Sequence, residues 1–241
     1  MSYRYDRDLE FLKQISSEDL NDLVYCLTHD KDGGVRYSEE LTQSEDYKKY
    51  YPNHNKYWES IAAEIQCFGA NTLATLFRGG KGVLYKEVLC DVCDKLKVAY
   101  HEDFNVEKIE NELLMKILSD SIKNMTPDEL KKLAEEVGIN HSGSITPELL
   151  LGSFQLLFRA GGFKSYQITL IIVNAVFKAM VGRGLSLGAN AALTRTAAIL
   201  TGPIGWLITG AWTAFDIAGA AFRVTIPAVI QIALLRKKLE S

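Results

Sequence analysis

Apolar residues recur along this chain at i, i+3 and i+4, and no stretch favours period-two alternation, so the pattern predicts an all-α fold. Leu9, Leu12 and Ile15 mark a first helix, and Ser17 offers an N-cap ahead of Leu20, Leu23, Val24 and Leu27. Asp32-Gly33-Gly34 breaks that second helix. A polar stretch rich in Tyr and Lys runs to Pro52, and then Tyr57, Trp58, Ile61, Ile65 and Phe68 outline a helix stopped at Gly69. Asn71 to Phe77 reads as a short helix, Val83 to Val98 as a longer one, and Val106 to Met125 as the next. Thr126-Pro127 and Thr146-Pro147 each set a capping hydroxyl before a proline at the first helical position, with acids following to favour the positive end of the dipole. Residues 138–144 between them read as a linker. Beyond it come Glu148 to Arg159, a Gly161-Gly162 break, and Lys164 to Val181.

The next stretch departs from the rest. The 52 residues from Gly184 to Leu235 hold three ionisable side chains, Arg195, Asp216 and Arg223. Gly202-Pro203-Ile204-Gly205 interrupts the run, because proline lacks an amide donor and glycine relaxes the backbone. The pattern predicts an antiparallel hairpin over 184–222, with arms at about 184–201 and 204–222, and then a final helix entering through Ile226-Pro227. Spacing by four puts Gly184, Gly188, Ala192 and Thr196 on one face of the first arm, and Gly210, Ala214 and Ala218 on one face of the second. Such thin faces let backbones approach closely, in membranes and in soluble alanine seams alike. The uncharged run from Thr196 to Phe215 nears the length of a bilayer span, but Pro203 inside it argues for a broken hairpin. Arg195 and Asp216 flank the Gly-Pro break at comparable distances and pair across it in either setting.

Charge divides the chain in two. Residues 148–241 carry 3 acidic and 9 basic side chains of the whole chain's 30 and 27, a net of +6 that leaves −9 for residues 1–147. The expected organisation is an acidic helical binding or regulatory domain, 1–140, and a hydrophobic helical domain, 146–241, each able to attract the other. The basic end also suits anionic lipid, with Lys237 and Lys238 as headgroup contacts and Trp206 and Trp212 as interface anchors. The scattered cations argue against nucleic acid. Cys26, Cys67, Cys90 and Cys93, in a chain whose start is too charged for a signal peptide, read as thiols of a reducing cytoplasm, with later membrane association left open.

Candidate chemistry is sparse. Cys90-Asp91-Val92-Cys93 has redox or metal spacing but lies within a helix, with no second pair to complete a zinc set. Arg78-Gly79-Gly80-Lys81, with Gly82, resembles an anion-binding loop before a helix, yet lacks the Ser or Thr of a P-loop. The loop at Asp30-Lys31-Asp32 fails the calcium pattern, with Val35 where glycine is needed and Leu41 where glutamate is. His29, His54, His101 and His141 read as surface or cap positions, and Glu59 and Glu64 as a solvated helix face. No catalytic set, cofactor or metal site is expected.

Trp58, Ile61, Glu64-Ile65-Gln66-Cys67-Phe68-Gly69, Leu84-Tyr85, Leu89, Asp91-Val92 and above all Phe222 to Ala233 resemble the bacterial YaaW family, as Asp8 to Leu12 and Leu27-Thr28-His29 resemble its short leading domain. That family is largely uncharacterised and often labelled as related to ubiquinol-cytochrome c chaperones. The leading expectation from the residues is a non-enzymatic protein whose carboxy-terminal hairpin associates with membrane lipid, as a pore former's might, shielded by the acidic domain. The alternatives are a soluble interaction protein or assembly chaperone, with the apolar region as core or oligomer interface, and an enzyme of phosphate ligands.

Overall fold

A computed structural model describes residues 2–36, 39–69, 82–123, 125–136, 138–139, 143–186, 202–205, 210 and 221–241. The fold is all-α, and no strand occurs among the described residues. Its helices are α1 (Ser17–Thr28), α2 (Glu45–Tyr50), α3 (Trp58–Gly69), α4 (Tyr85–Lys95), α5 (Val106–Ile122), α6 (Pro127–Glu136), α7 (Pro147–Ala160), α8 (Gly162–Met180) and α9 (Phe222–Glu240).

Local chemistry accounts for the boundaries. The cap of α1 is Ser16 and not Ser17: Ser16 is extended, with ψ 153°, and its Oγ accepts the Asp19 N–H at 3.2 Å. That extended approach also limits Leu9 to Ile15 to a 3-10 helix, Glu10–Gln14. Both Thr-Pro starts form as expected. Thr126 and Glu129 exchange bonds in a capping box, and Thr146 accepts the Leu149 N–H ahead of Pro147. Helix α4 is shorter than its apolar pattern, because Lys97 turns into the left-handed region at φ 56°. The Tyr- and Lys-rich stretch is not irregular throughout: Ser44 caps the short α2, and a 3-10 helix, His54–Tyr57, leads into α3.

Helix α9 is the centre of the molecule. It packs against α8, α1, α4, α3 and α5, and every side chain from Val224 to Leu235 is buried. A helix apolar on all sides has to be enclosed on all sides, and each fully buried Val, Leu or Ile contributes about 1.5–3 kcal/mol. The helix does not start at Ile226-Pro227; it begins at Phe222 and carries Pro227 inside. One lost backbone bond there is outweighed by apolar contacts on both sides of the proline. Among the described residues, no helix is long and apolar enough to cross a membrane. The hairpin arms read at 184–201 and 204–222 lie largely outside the described residues, as does the helix read at Asn71 to Phe77.

Candidate functional site

Helix α1 holds the chain on both sides of the charge-poor segment. Asp22, 2% exposed, faces the loop after α8 and accepts four bonds there: the Arg183 Nη2 at 2.6 Å, the Ser186 N–H at 2.9 and 3.2 Å to its two oxygens, and the Ser186 hydroxyl at 2.9 Å. Hydrogen bonds to an ionised buried carboxylate are among the stronger ones a protein makes. The Arg183 guanidinium also lies 3.9 Å from the centre of the Tyr25 ring, which stacks on His29 at 4.3 Å. The loop backbone is equally constrained. Gly182 takes φ +84° with its α-carbon so close to Lys31 that a Cβ would sit 2.2 Å from that residue's carbonyl oxygen. Gly184 leaves similarly little room, 2.9 Å to the Asn174 Oδ1, which accepts the Leu185 N–H at 3.1 Å.

One turn along α1, Cys26 donates its thiol proton to the Val224 carbonyl at 3.8 Å. Burial pushes that thiol up to about 12, so it remains a neutral donor. Positions 22 and 26 stand about 6 Å apart on a helix axis. The two ends of the charge-poor segment are therefore held at neighbouring points of one helix, and Ile204 in the described turn between them is fully buried in the core.

A second polar cluster joins the chain's extremities. The Tyr85 hydroxyl donates to Glu110 at 2.8 Å, and the Arg236 Nε donates to the other Glu110 oxygen at 3.1 Å. Arg236 also reaches the Asp8 carbonyl at 2.8 Å and covers the Phe11 ring. Burial drives the Glu110 carboxyl upward against the pull of Arg236. Nearby, Asp6 accepts the Tyr85 N–H at 2.6 Å, and Gln66 exchanges bonds with the Arg4 backbone at 3.0 and 2.8 Å. These groups saturate one another, so the arrangement fixes the amino-terminal segment, α3, α4, α5 and α9 in one geometry.

The sequence-derived site residues are scattered across this frame. Gly184 belongs to the clasp. Gly202 is exposed and Pro203 half-buried in a helical turn over 202–205; Gly210 and Arg223 are exposed. Lys237 is buried, its amine pushed down by desolvation and 5.3 Å over the Phe158 ring. Lys238 reaches Asp19 at 2.5 Å. Gly188, Ala192, Arg195, Thr196, Trp206, Trp212, Ala214, Asp216 and Ala218 lie outside the described residues, as do Arg78, Gly79, Gly80 and Lys81. Two readings are corrected. His54 is buried, bonded through Nδ1 to the Tyr57 hydroxyl, because the aromatic residues of 47–57 close over it. Glu64 is no part of a solvated face; it is 2% exposed and accepts the Glu40 N–H at 3.2 Å.

Asp22 and Glu110 were not singled out by motif, and Tyr85 entered only among the residues of the family resemblance. Glu110 did carry a signal, since it shares the apolar register of Val106, Ile109, Leu113 and Ile117.

A Helicobacter pylori (strain J99) UPF0174 protein is 51% identical over 240 residues, covering 100% of this chain and 94% of the relative. The chain belongs to the UPF0174 family. A second relative of that name, from Helicobacter pylori strain 26695, is 41% identical over 208 residues, 85% of this chain and 99% of its own. The UPF0174 protein YaaW of Escherichia coli K12 is 32% identical over 246 residues, 100% of this chain and 98% of its own. Within UPF0174, residues 53–230 match the family described as Ubiquinol-cytochrome C chaperone, and residues 3–37 match a domain of unknown function, DUF3944. No solved structure matches the chain. The clasp is one of the places where those two matched stretches meet: Asp22 and Cys26 belong to residues 3–37, Ser186 and Val224 to residues 53–230.

Proposed function

We propose that this UPF0174 protein is a non-enzymatic, chaperone-type binding protein that engages apolar protein segments through the charge-poor stretch between Ser186 and Phe222. The observation that carries the reading is the clasp: both ends of that stretch are pinned to α1, one turn apart, while α9 beyond it is committed to the core. With its two ends fixed at one place on the frame, and Ile204 of the described turn 202–205 buried in the core, the stretch can engage a partner through its other residues while α1 and α9 stay in place. The name carried by the matched family, a chaperone, agrees with this class of behaviour. In this reading residues 1–140 hold the segment and residues 146–241 carry it.

The test replaces residues 187–220 by a six-residue Gly/Ser linker, enough to span the gap between the two clasp points. Binding of a fluorophore-labelled, permanently unfolded client is followed by anisotropy. Binding by the parent and its loss in the linker variant, with helical circular dichroism retained, is the expected result. Equal binding by both proteins refutes the role of the segment, and absence of binding by the parent refutes the reading. The same pair floated with phosphatidylglycerol vesicles tests the lipid alternative: flotation of the parent alone, without client binding, makes the segment a membrane contact.

A further inference from the structure

Lys237 has a paired cation on either side and is itself unpaired. Arg236 is bonded to Glu110 and Lys238 to Asp19, whereas the Lys237 amine has neither ion pair nor hydrogen bond among the described residues. A lysine near a helix end ordinarily lays its stem on the protein and keeps its amine in water. Lys237 is instead 9% exposed, enclosed where the last turn of α9 meets the end of α7 and the start of α5. Its amine stands 5.3 Å over the Phe158 ring. The charges around it are Glu107 and Glu110 of α5, and Arg236 and Glu240 of α9 itself. The attraction of the three carboxylates does not offset the lost hydration: desolvation prevails and pushes the amine down. The fully enclosed side-chain atoms without a partner, among the described residues, are Asn111 Oδ1, Ser165 Oγ and Gln231 Oε1, so the amine keeps a narrow contact with solvent.

An amine is a nucleophile only once it has given up its proton, and a lysine held in apolar surroundings does so more readily than one in water. We propose that Lys237 is a covalent site for small uncharged aldehydes, separate from the charge-poor segment. Its nitrogen adds to the carbonyl carbon, a proton passes to the carbonyl oxygen, and the resulting carbinolamine loses that oxygen as water to leave a C=N bond. Nothing is oxidised or reduced, and water reverses the step. The surrounding carboxylates select the class of electrophile. They favour the protonated imine and repel anionic acyl donors, while the Phe158 ring offers an apolar wall to the carbon chain.

In the test, the full-length chain is treated with propionaldehyde and cyanoborohydride, which reduces the imine to a stable amine, and alkylation of each lysine is followed by mass spectrometry. Lys131 and Lys132, exposed on α6, are the internal comparators. At neutral pH Lys237 is expected to react at least ~3-fold faster than either, because the proportion of neutral amine sets the rate. At alkaline pH that advantage shrinks, since the comparators gain neutral amine that Lys237 already has. Unfolding in urea abolishes it, and dialysis of a sample prepared without the reductant releases the aldehyde. Acetyl phosphate, an anionic acyl donor of similar size, shows a smaller preference for Lys237. The proposal is overturned if Lys237 reacts no faster than the comparators, if its advantage is independent of pH or survives in urea, or if the unreduced adduct persists through dialysis. A preference of acetyl phosphate for Lys237 as strong as that of propionaldehyde also overturns it.

Discussion

Replacing Glu64 by glutamine should make the protein more stable, and only above pH 5. The carboxyl sits on α3 almost out of solvent, where burial pushes it up to about 8, with Glu39 and Glu40 adding repulsion and the Glu40 N–H pulling it back. An unfolded glutamate ionises near 4.5. Below that value both states hold the proton and the group costs folding nothing. As pH rises past it, the unfolded chain releases the proton and the folded chain keeps it, so stability falls with pH until the folded group itself ionises near 8. At about 1.4 kcal/mol per unit, the shift from 4.5 to about 8 amounts to roughly 3–5 kcal/mol of stability lost between pH 5 and 8.5. The side-chain amide introduced by Glu64→Gln keeps an oxygen for the Glu40 N–H and has no titrating proton. Urea titrations at half-unit intervals from pH 5 to 8.5 should then show two curves that agree at the acidic end and diverge by that amount at the alkaline end. Other buried acids, such as Glu110, contribute equally to both curves and cancel. Parallel curves would refute the reasoning.

Arg236→Met strands the Glu110 carboxylate with Tyr85 alone and should cost about 3–5 kcal/mol in urea titrations near pH 7. Adding Glu110→Gln to it should restore more than half of that loss, and a fully additive double variant would exclude coupling between the two groups. Asp22→Ala removes the acceptor of the Ser186 amide and hydroxyl, so exchange of the Ser186 amide should accelerate ~100-fold by native-state hydrogen exchange, while α5 amides stay protected; equal acceleration in both would mean the clasp is not a local element. Cys26 and Cys93 are both buried, with thiols pushed up to about 12, so a thiol-disulfide reagent at pH 8 should leave them unmodified until urea unfolds the chain.

The helical periodicity was enough to place α3, α5, α7 and α8 to within a few residues, because each buries one stripe against a neighbour and writes that stripe as i, i+3, i+4. The Thr-Pro starts were legible for a different reason: capping is a local bond between residues three apart, decided by side-chain chemistry before any tertiary contact forms. Glu64 and His54 were misread because the same local rules assign a polar residue to solvent, and partners distant in sequence, the Glu40 amide for Glu64 and Asn21 for the His54 Nε2, make the interior tolerable for them. The clasp was illegible for the same reason. Asp22 and Ser186 are 164 residues apart, and nothing in the spacing of either predicts the other.

The charge asymmetry of the two halves acquires a structural meaning from those distant pairs. Three cations of the basic half, Arg183, Arg236 and Lys238, are each held by a carboxylate of the acidic half: Asp22, Glu110 and Asp19. Two of those acids, Asp22 and Glu110, are buried, where an unpaired charge would be costly, so each pair specifies the position of its partner helix more than it adds net stability. Between these pairs runs α9, which has no polar face and so cannot choose its own orientation within an apolar sleeve. Arg236 and Lys238 at its carboxy-terminal end, and the Val224 carbonyl at its start, supply that choice by meeting Glu110, Asp19 and Cys26 at fixed points. The long charge-poor run thus resolves into two pieces of different fate. Its last part is a core helix that the acidic half positions by charge, and its first part begins at a loop that the same acidic half fastens at Asp22.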